Sequence, residues 1–312
     1  MVFAKTKICV LFAPLVVILA ACNNDSSTVT DNHSNTDTMN MSTVEKEPEL
    51  KTKVKGSAGE LYVSDGGAGG IPVVFVHSFG GSAKHWEKQL EHLRSNRRAI
   101  AFDLRGQGQS EAPANGEYDV NALSNDIAAV VDSLKLNKFV LVGHSMGGSA
   151  AIAYAGKHPE RVAGLLITGT PGKTPGDQAK PIIAALESDK YPSVMEDYMK
   201  KLLENATPAT NKLEREGINK ISKQASIDII KSVFRYDPLP DLRNYPGPKL
   251  IISRAGEENP NSLHTYFPGI PYITVEGTSH WIQLDKPDKF NSIMDDFLVT
   301  VEKRANATAG NK

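Results

Sequence analysis

Cysteine is almost absent. The 312 residues contain two, Cys9 and Cys22, and with none beyond residue 22 the folded part of the chain can hold no internal disulfide. Charge of one sign is missing as well: the formal net charge is −1, and no basic cluster is interleaved with aromatic residues, which argues against nucleic acid as a partner. No apolar run reaches the ~20 residues that a bilayer-spanning helix needs. Spacings of His, Cys, Asp and Glu suited to a metal are lacking, so no metal or other cofactor is expected. Aromatic residues are absent from Asn23–Val44, a segment made almost wholly of Asn, Ser, Thr and Asp. Such a composition cannot bury enough apolar surface to offset its ordering entropy, and a flexible tether is expected there.

What is present begins with an N-terminal pattern. Lys5 and Lys7 precede the apolar run Ile8–Leu19, which closes on Leu19-Ala20-Ala21-Cys22. A run this short favours a secretory signal over a transmembrane anchor. Leu-Ala-Ala-Cys also resembles the lipobox of bacterial lipoproteins. The resemblance implies cleavage before Cys22, lipidation of that residue, and an exported, membrane-anchored protein facing the periplasm or the cell surface. The expected organisation is a signal over 1–21, a tether over 22–49, one domain over 50–304 and a frayed tail over 305–312.

Within the domain, near-continuous apolar runs recur at Val73–Val76, Ala99–Phe102, Phe139–Val142, Leu165–Ile167, Leu250–Ile252 and Tyr272–Val275. Strands buried on both faces read this way. Helical patterns lie between most of them, at Ala83–Leu93, Val120–Leu134 and Ser149–Lys157, and a final stripe runs from Phe290 to Val301. The alternation predicts an α/β fold with a mostly parallel, doubly wound sheet. Lys51–Lys55 and Glu60–Ser64 read as a leading hairpin or edge pair. From about 171 to 236 only helical segments occur, and an all-helical insertion between sheet strands is expected to cap the strand ends, where ligands bind in open α/β sheets.

The chemistry is concentrated at Gly143-His144-Ser145-Met146-Gly147, which follows the apolar run Phe139–Val142 and leads into a small-residue helix. Strand, sharp turn and helix present the serine as a nucleophile, and the flanking glycines answer a close approach of the chain. Its base is read as His280, on the loop Gly277-Thr-Ser-His-Trp281 after a strand and before the last helix. The acid is read in Ser253-Arg-Ala-Gly-Glu-Glu-Asn259: Glu257 is preferred, with Glu258 next to it, Asn259 at the position counted from Gly256, and Asp237 as an acid from elsewhere. Two N–H donors for an oxyanion are assigned to Met146 and, after the strand Val73–Val76, to Phe79. Trp86, Trp281, Phe79 and Met146 are candidates for an apolar pocket wall.

Together these residues resemble the α/β-hydrolase fold superfamily over nearly the whole domain. Asp103-Leu-Arg-Gly-Gln-Gly-Gln-Ser110 is similar to the D-x-R-G-x-G-x-S loop of that family, in which Asp103 and Arg105 have an architectural role, and it lacks the G-x-G-x-x-G spacing of a dinucleotide site. His158-Pro-Glu-Arg-Val162 resembles the segment after the nucleophile helix. The chain departs from the family at Ser78, where a glycine is usual, and in having glutamate or asparagine where aspartate is commoner. The resemblance implies a serine hydrolase of carboxylic esters or related acyl compounds acting through an acyl-enzyme on Ser145. An acyltransferase or cofactor-free perhydrolase on the same residues, or a ligand-binding protein retaining the fold, are the alternatives.

Overall fold

The computed structural model describes residues 49–309. The expected signal over 1–21, Cys22 and all but the last residue of the expected tether lie outside the described residues. The strands are β1 (Leu50–Lys55), β2 (Glu60–Gly66), β3 (Val73–Val76), β4 (Ala99–Phe102), β5 (Phe139–His144), β6 (Val162–Thr168), β7 (Lys249–Arg254) and β8 (Tyr272–Val275). They form one sheet in the order β1-β2-β4-β3-β5-β6-β7-β8. β1 and β2 are the expected hairpin, β2 runs antiparallel to β4, and every pair from β4 to β8 is parallel.

The parallel strands are continuous apolar runs because both faces are covered. Val74, Val76 and Leu141 point into one core, while their neighbours Val73, Phe75, Val140 and Val142 point into the other. The first face is covered by α2 (Val120–Ser133), α3 (Met146–Lys157) and the short α8 (Leu239–Asn244), through Leu123, Ile127, Ile152 and Leu242. The opposite face is covered by a single 3₁₀ turn (Ala83–Trp86) that leads into α1 (Glu87–Leu93), and by α11 (Pro287–Ala309), through Leu90, Phe290, Met294 and Phe297. Trp86 belongs to this second core and not to a pocket wall: its ring lies 4.9 Å from that of Phe75 and 5.9 Å from that of Phe290. α11 continues to Ala309, past the Arg304 limit expected for the domain. Alanines at 305, 307 and 309 favour that continuation.

Between β6 and β7 lie α4 (Gly176–Leu186), α5 (Tyr191–Leu202), α6 (Pro208–Ile218) and α7 (Lys223–Arg235). α6 and α7 start at side-chain caps, Thr207 accepting from the Thr210 N–H and Ser222 from the Ala225 N–H. α6 is seated by a polar contact, with the buried Glu214 carboxylate 2.7 Å from His85 Nε2. Two short helices, α9 (Leu263–Tyr266) and α10 (Ile282–Asp285), complete the loops after β7 and β8. The order of strands reverses around β3, so the loops leaving the carboxyl ends of β3, β5, β6, β7 and β8 share one edge of the sheet, where a binding site is expected.

Candidate active site

Ser145 is the single residue between the end of β5 and the start of α3, with φ 53° and ψ −117°. A side chain in this sparsely populated region costs on the order of 1–3 kcal/mol and persists only where the surroundings hold it. Here they do so by close approach. A Cβ on Gly143 would stand 2.7 Å from the Gly147 carbonyl oxygen and from Gly148 Cα, and one on Gly147 would stand 2.6 Å from the Val76 carbonyl oxygen. The Ser145 N–H donates to the Thr168 carbonyl at 2.9 Å, tying the turn to β6. Met146 opens α3, so its N–H is one of the helix-start donors without an intrahelical acceptor.

The second loop, after β3, is fixed from beneath by His77. Its Nδ1–H donates to the Ser78 carbonyl at 2.7 Å and its Nε2 accepts the Leu104 N–H at 2.9 Å, a pairing that only the neutral ring can make. Burial pushes its pKa down to about 3. The Gly80 N–H donates to Gln107 Oε1 at 2.9 Å. Gln107 is itself held in the loop that Asp103 pins, the Asp103 carboxylate accepting from the Ala83 and Gln109 N–H groups. Arg105 is paired with Asp126 and does not line the cavity that Ser145 faces. Among the described residues neither the Phe79 nor the Met146 N–H has an acceptor, and both residues line the cavity that Ser145 faces.

His280 Nδ1–H donates to Glu257 Oε1 at 2.6 Å, and Arg254 Nε–H donates to the same oxygen at 3.1 Å. Burial raises the Glu257 pKa, but the His280 ring and the Arg254 guanidinium outweigh it and hold the carboxyl below its ordinary value. The other candidate acids are engaged elsewhere. Glu258 accepts from the Gly256 N–H and from the hydroxyls of Tyr272 and Thr274; Asn259 donates to the Glu257 carbonyl and accepts from the Asn261 N–H; Asp237 pairs with Lys173 at 2.7 Å. The far nitrogen of His280, Nε2, is buried and without a hydrogen-bond partner among the described residues. Ser145 and His280 line the same cavity with no hydrogen bond between them, and such contacts in ligand-free sites commonly tighten only in the complex.

Four further residues, none singled out by the sequence pattern, hold the histidine loop. His144 Nε2–H donates to the His280 carbonyl at 3.0 Å, and its Nδ1 accepts from Gln283 Nε2; burial keeps His144 neutral, its pKa well below the ordinary value. The His280 N–H donates to the Leu202 carbonyl at the end of α5. Gly169, at φ 54°, leaves room for the ring: a Cβ there would stand 2.9 Å from His280 Cε1. Trp281 does not line the cavity. Its indole N–H donates to Ser78 Oγ at 3.1 Å, and its ring packs with Met199 and Leu203.

The cavity is about 790 Å³. Its apolar wall comes from the helical insertion, through Ile182, Leu202, Ile229, Ile230, Val233 and Phe234, and its polar rim from Thr170, Thr174, Gln178, Asn259 and Asn261. Among the described residues no group of His, Cys, Asp or Glu is placed to hold a metal ion. A hydroxyl at a strained turn, an imidazole oriented by a carboxylate and two unengaged N–H groups can together support nucleophilic attack on a carbonyl and hold the resulting oxyanion.

The alpha/beta hydrolase fold family matches residues 71–213. An esterase from Thermogutta terrifontis superposes with a TM-score of 0.70 at 24% identity, over 81% of this chain and 99% of that one. The chain has the α/β-hydrolase fold. Among curated relatives, a 2-hydroxymuconate semialdehyde hydrolase of Pseudomonas sp. is 28% identical over 291 residues, 85% of this chain and 99% of that protein. A dihydrolipoyllysine-residue acetyltransferase component of an acetoin cleaving system, from Pseudomonas putida, is 43% identical over 107 residues, and the match spans only 29% of that protein. The Ser78 departure from the usual α/β-hydrolase pattern has a local reason in the hydroxyl that accepts the Trp281 indole. Asn259, at the position counted from Gly256, braces the backbone of Glu257.

Proposed function

We propose that the protein is a serine hydrolase that cleaves carboxylic esters, or closely related acyl compounds, through an acyl-enzyme on Ser145. The observation that carries this reading is the 2.6 Å contact between His280 Nδ1 and Glu257, which orients an unpartnered, buried Nε2 in the cavity that Ser145 faces. His280 Nε2 takes the Ser145 proton as Oγ attacks the carbonyl carbon. The carbonyl oxygen becomes an oxyanion held by the Phe79 and Met146 N–H groups, and Glu257 offsets the positive charge on the ring. The imidazolium then gives its proton to the leaving oxygen, and water, activated by the same nitrogen, releases the acid and restores Ser145. The apolar wall of the cavity favours a neutral, apolar acyl group.

Hydrolysis of a graded series of chromogenic esters by the wild type and by Ser145→Ala tests this reading. We expect a loss of about 10³-fold or more in kcat for the variant; equal activity in the two proteins would end the proposal.

The sequence Leu19-Ala20-Ala21-Cys22 supports a second part of the reading, that the domain is exported and anchored to a membrane by acyl chains on Cys22. Incorporation of labelled palmitate into the protein, abolished by Cys22→Ser, is the expected result. Equal labelling of both would refute Cys22 as the acylated residue.

A further inference from the structure

The side chain of Arg254 is buried, and it stands where three things meet. Its Nε–H donates to Glu257 Oε1 at 3.1 Å, the oxygen that also accepts from His280. The other arms of the guanidinium reach the end of a cap helix: Nη2 donates to the Lys201 carbonyl at 3.1 Å, and Nη1 donates to the Glu204 carbonyl at 3.3 Å. The next carbonyl along, that of Leu202, accepts the His280 N–H. The last turn of α5 therefore holds the acid through Arg254 and the base through its backbone, while the side chains of Lys201 and Leu202 line the cavity. A buried guanidinium needs partners for its donors, and the carbonyls at a helix C-terminus carry the complementary partial charge.

We propose that Arg254 is a positioning residue for the acid–base pair, clamping Glu257 to α5 and tempering the field that Glu257 exerts on His280. The inference rests on the serine-hydrolase reading. Without the clamp the Glu257 side chain has no second tether and the imidazole loses its fixed aim. The charge acts separately. Arg254 and His280 share one carboxylate oxygen, so the guanidinium opposes the positive charge that His280 acquires in the reaction. Removing that charge leaves the attraction of Glu257 for the imidazolium formed in the reaction unopposed. The other charged or titratable groups around the pair include Glu204, 3.8 Å from Arg254 Nη1, Tyr198 and Lys201 on α5, His144 on β5, Glu214 on α6, Glu258 beside Glu257, His264 on α9 and Asp285 on α10. None of these donates to Glu257.

The test compares wild type, Arg254→Lys, Arg254→Gln and Arg254→Met, with rates normalised to sites titrated by a fluorophosphonate that labels the active serine. Normalisation removes any unfolded fraction, and Arg254→Gln serves if the methionine variant fails to fold. Expected for the Gln and Met variants is a kcat per titrated site lowered about tenfold or more, KM changed less than about threefold, and an acid limb moved upward by ~0.5 pH unit or more. Arg254→Lys keeps the charge but not the fork, so its limb should stay in place while kcat falls. A lowered kcat with unmoved limbs in the Gln and Met variants, or profiles that superimpose on wild type, would overturn the proposal. A wild type that hydrolyses ester without labelling, or a Ser145→Ala variant of full activity, overturns the serine reading itself and is told apart by that control.

Discussion

Glu257 and Glu258 are neighbours with the same side chain, and the structure gives them opposite duties. Glu257 faces His280 and Arg254, while Glu258 turns toward β8 and holds its own loop through Gly256, Tyr272 and Thr274. In the proposed mechanism Glu257→Gln removes the charge that stabilises the imidazolium, and it leaves Arg254 without its nearest counter-ion. The expected loss in kcat per titrated site is about 10²–10⁴-fold, with a lowered thermal midpoint. Glu258→Gln keeps an acceptor oxygen on the far side and should stay within about threefold of wild type. Comparable losses in both variants would remove the distinction. Because the Glu257 pKa is held below its ordinary value of 4.5, its ionic contacts are fully present above that value and fade only as pH falls through the lowered one. A decline in rate at milder acidity therefore does not come from Glu257.

The choice between those two glutamates was open in the sequence because adjacent loop residues point to opposite sides, and their partners come from other elements. Tyr272 and Thr274 stand 14 and 16 residues away from Glu258. The strands were far more legible. Val73–Val76, Ala99–Phe102 and Tyr272–Val275 coincide with observed strands, since a strand covered on both faces writes itself as an unbroken apolar run. β5, β6 and β7 extend beyond their apolar centres, because backbone pairing continues through Gly143, His144, Gly164 and Lys249, whose side chains carry no such signal. α6 carries a weaker apolar signal for a related reason: the residues it buries are Thr210 and Glu214 in place of an apolar stripe. Trp86 shows the converse, a large aromatic that composition offers equally to a pocket or a core and that only the packing of Phe75 and Phe290 assigns. The serine turn was readable because its demand is steric, and only glycine meets the approach distances found at positions 143 and 147.

The arrangement that holds the site also sets how the whole molecule responds to acid. His77 supports the loop of Phe79 and His144 supports the loop of His280, and each is a fully buried ring that burial keeps neutral, His77 with a pKa of about 3 and His144 well below the ordinary 6.5. On unfolding, both rings enter water and recover the ordinary value. Below about pH 6.5 the unfolded chain therefore binds protons that the folded chain refuses, so stability is complete above that pH and declines as pH falls toward the folded-state values. For His77 alone, linkage between 6.5 and about 3 gives a loss of about 2 kcal/mol on going from pH 7.5 to pH 5. Urea unfolding at the two pH values should show a loss of that order for the wild type. His77→Gln should be less stable at pH 7.5, where two hydrogen bonds of the loop are disturbed, yet show a smaller drop to pH 5, because one of the two refused protons is gone. Wild-type stability that is flat across this range, or an unchanged drop in the variant, would mean that these rings do not carry the acid response. If the expected pattern holds, the residues that fix the loops of Phe79 and His280 at neutral pH are also those through which the fold loosens in acid.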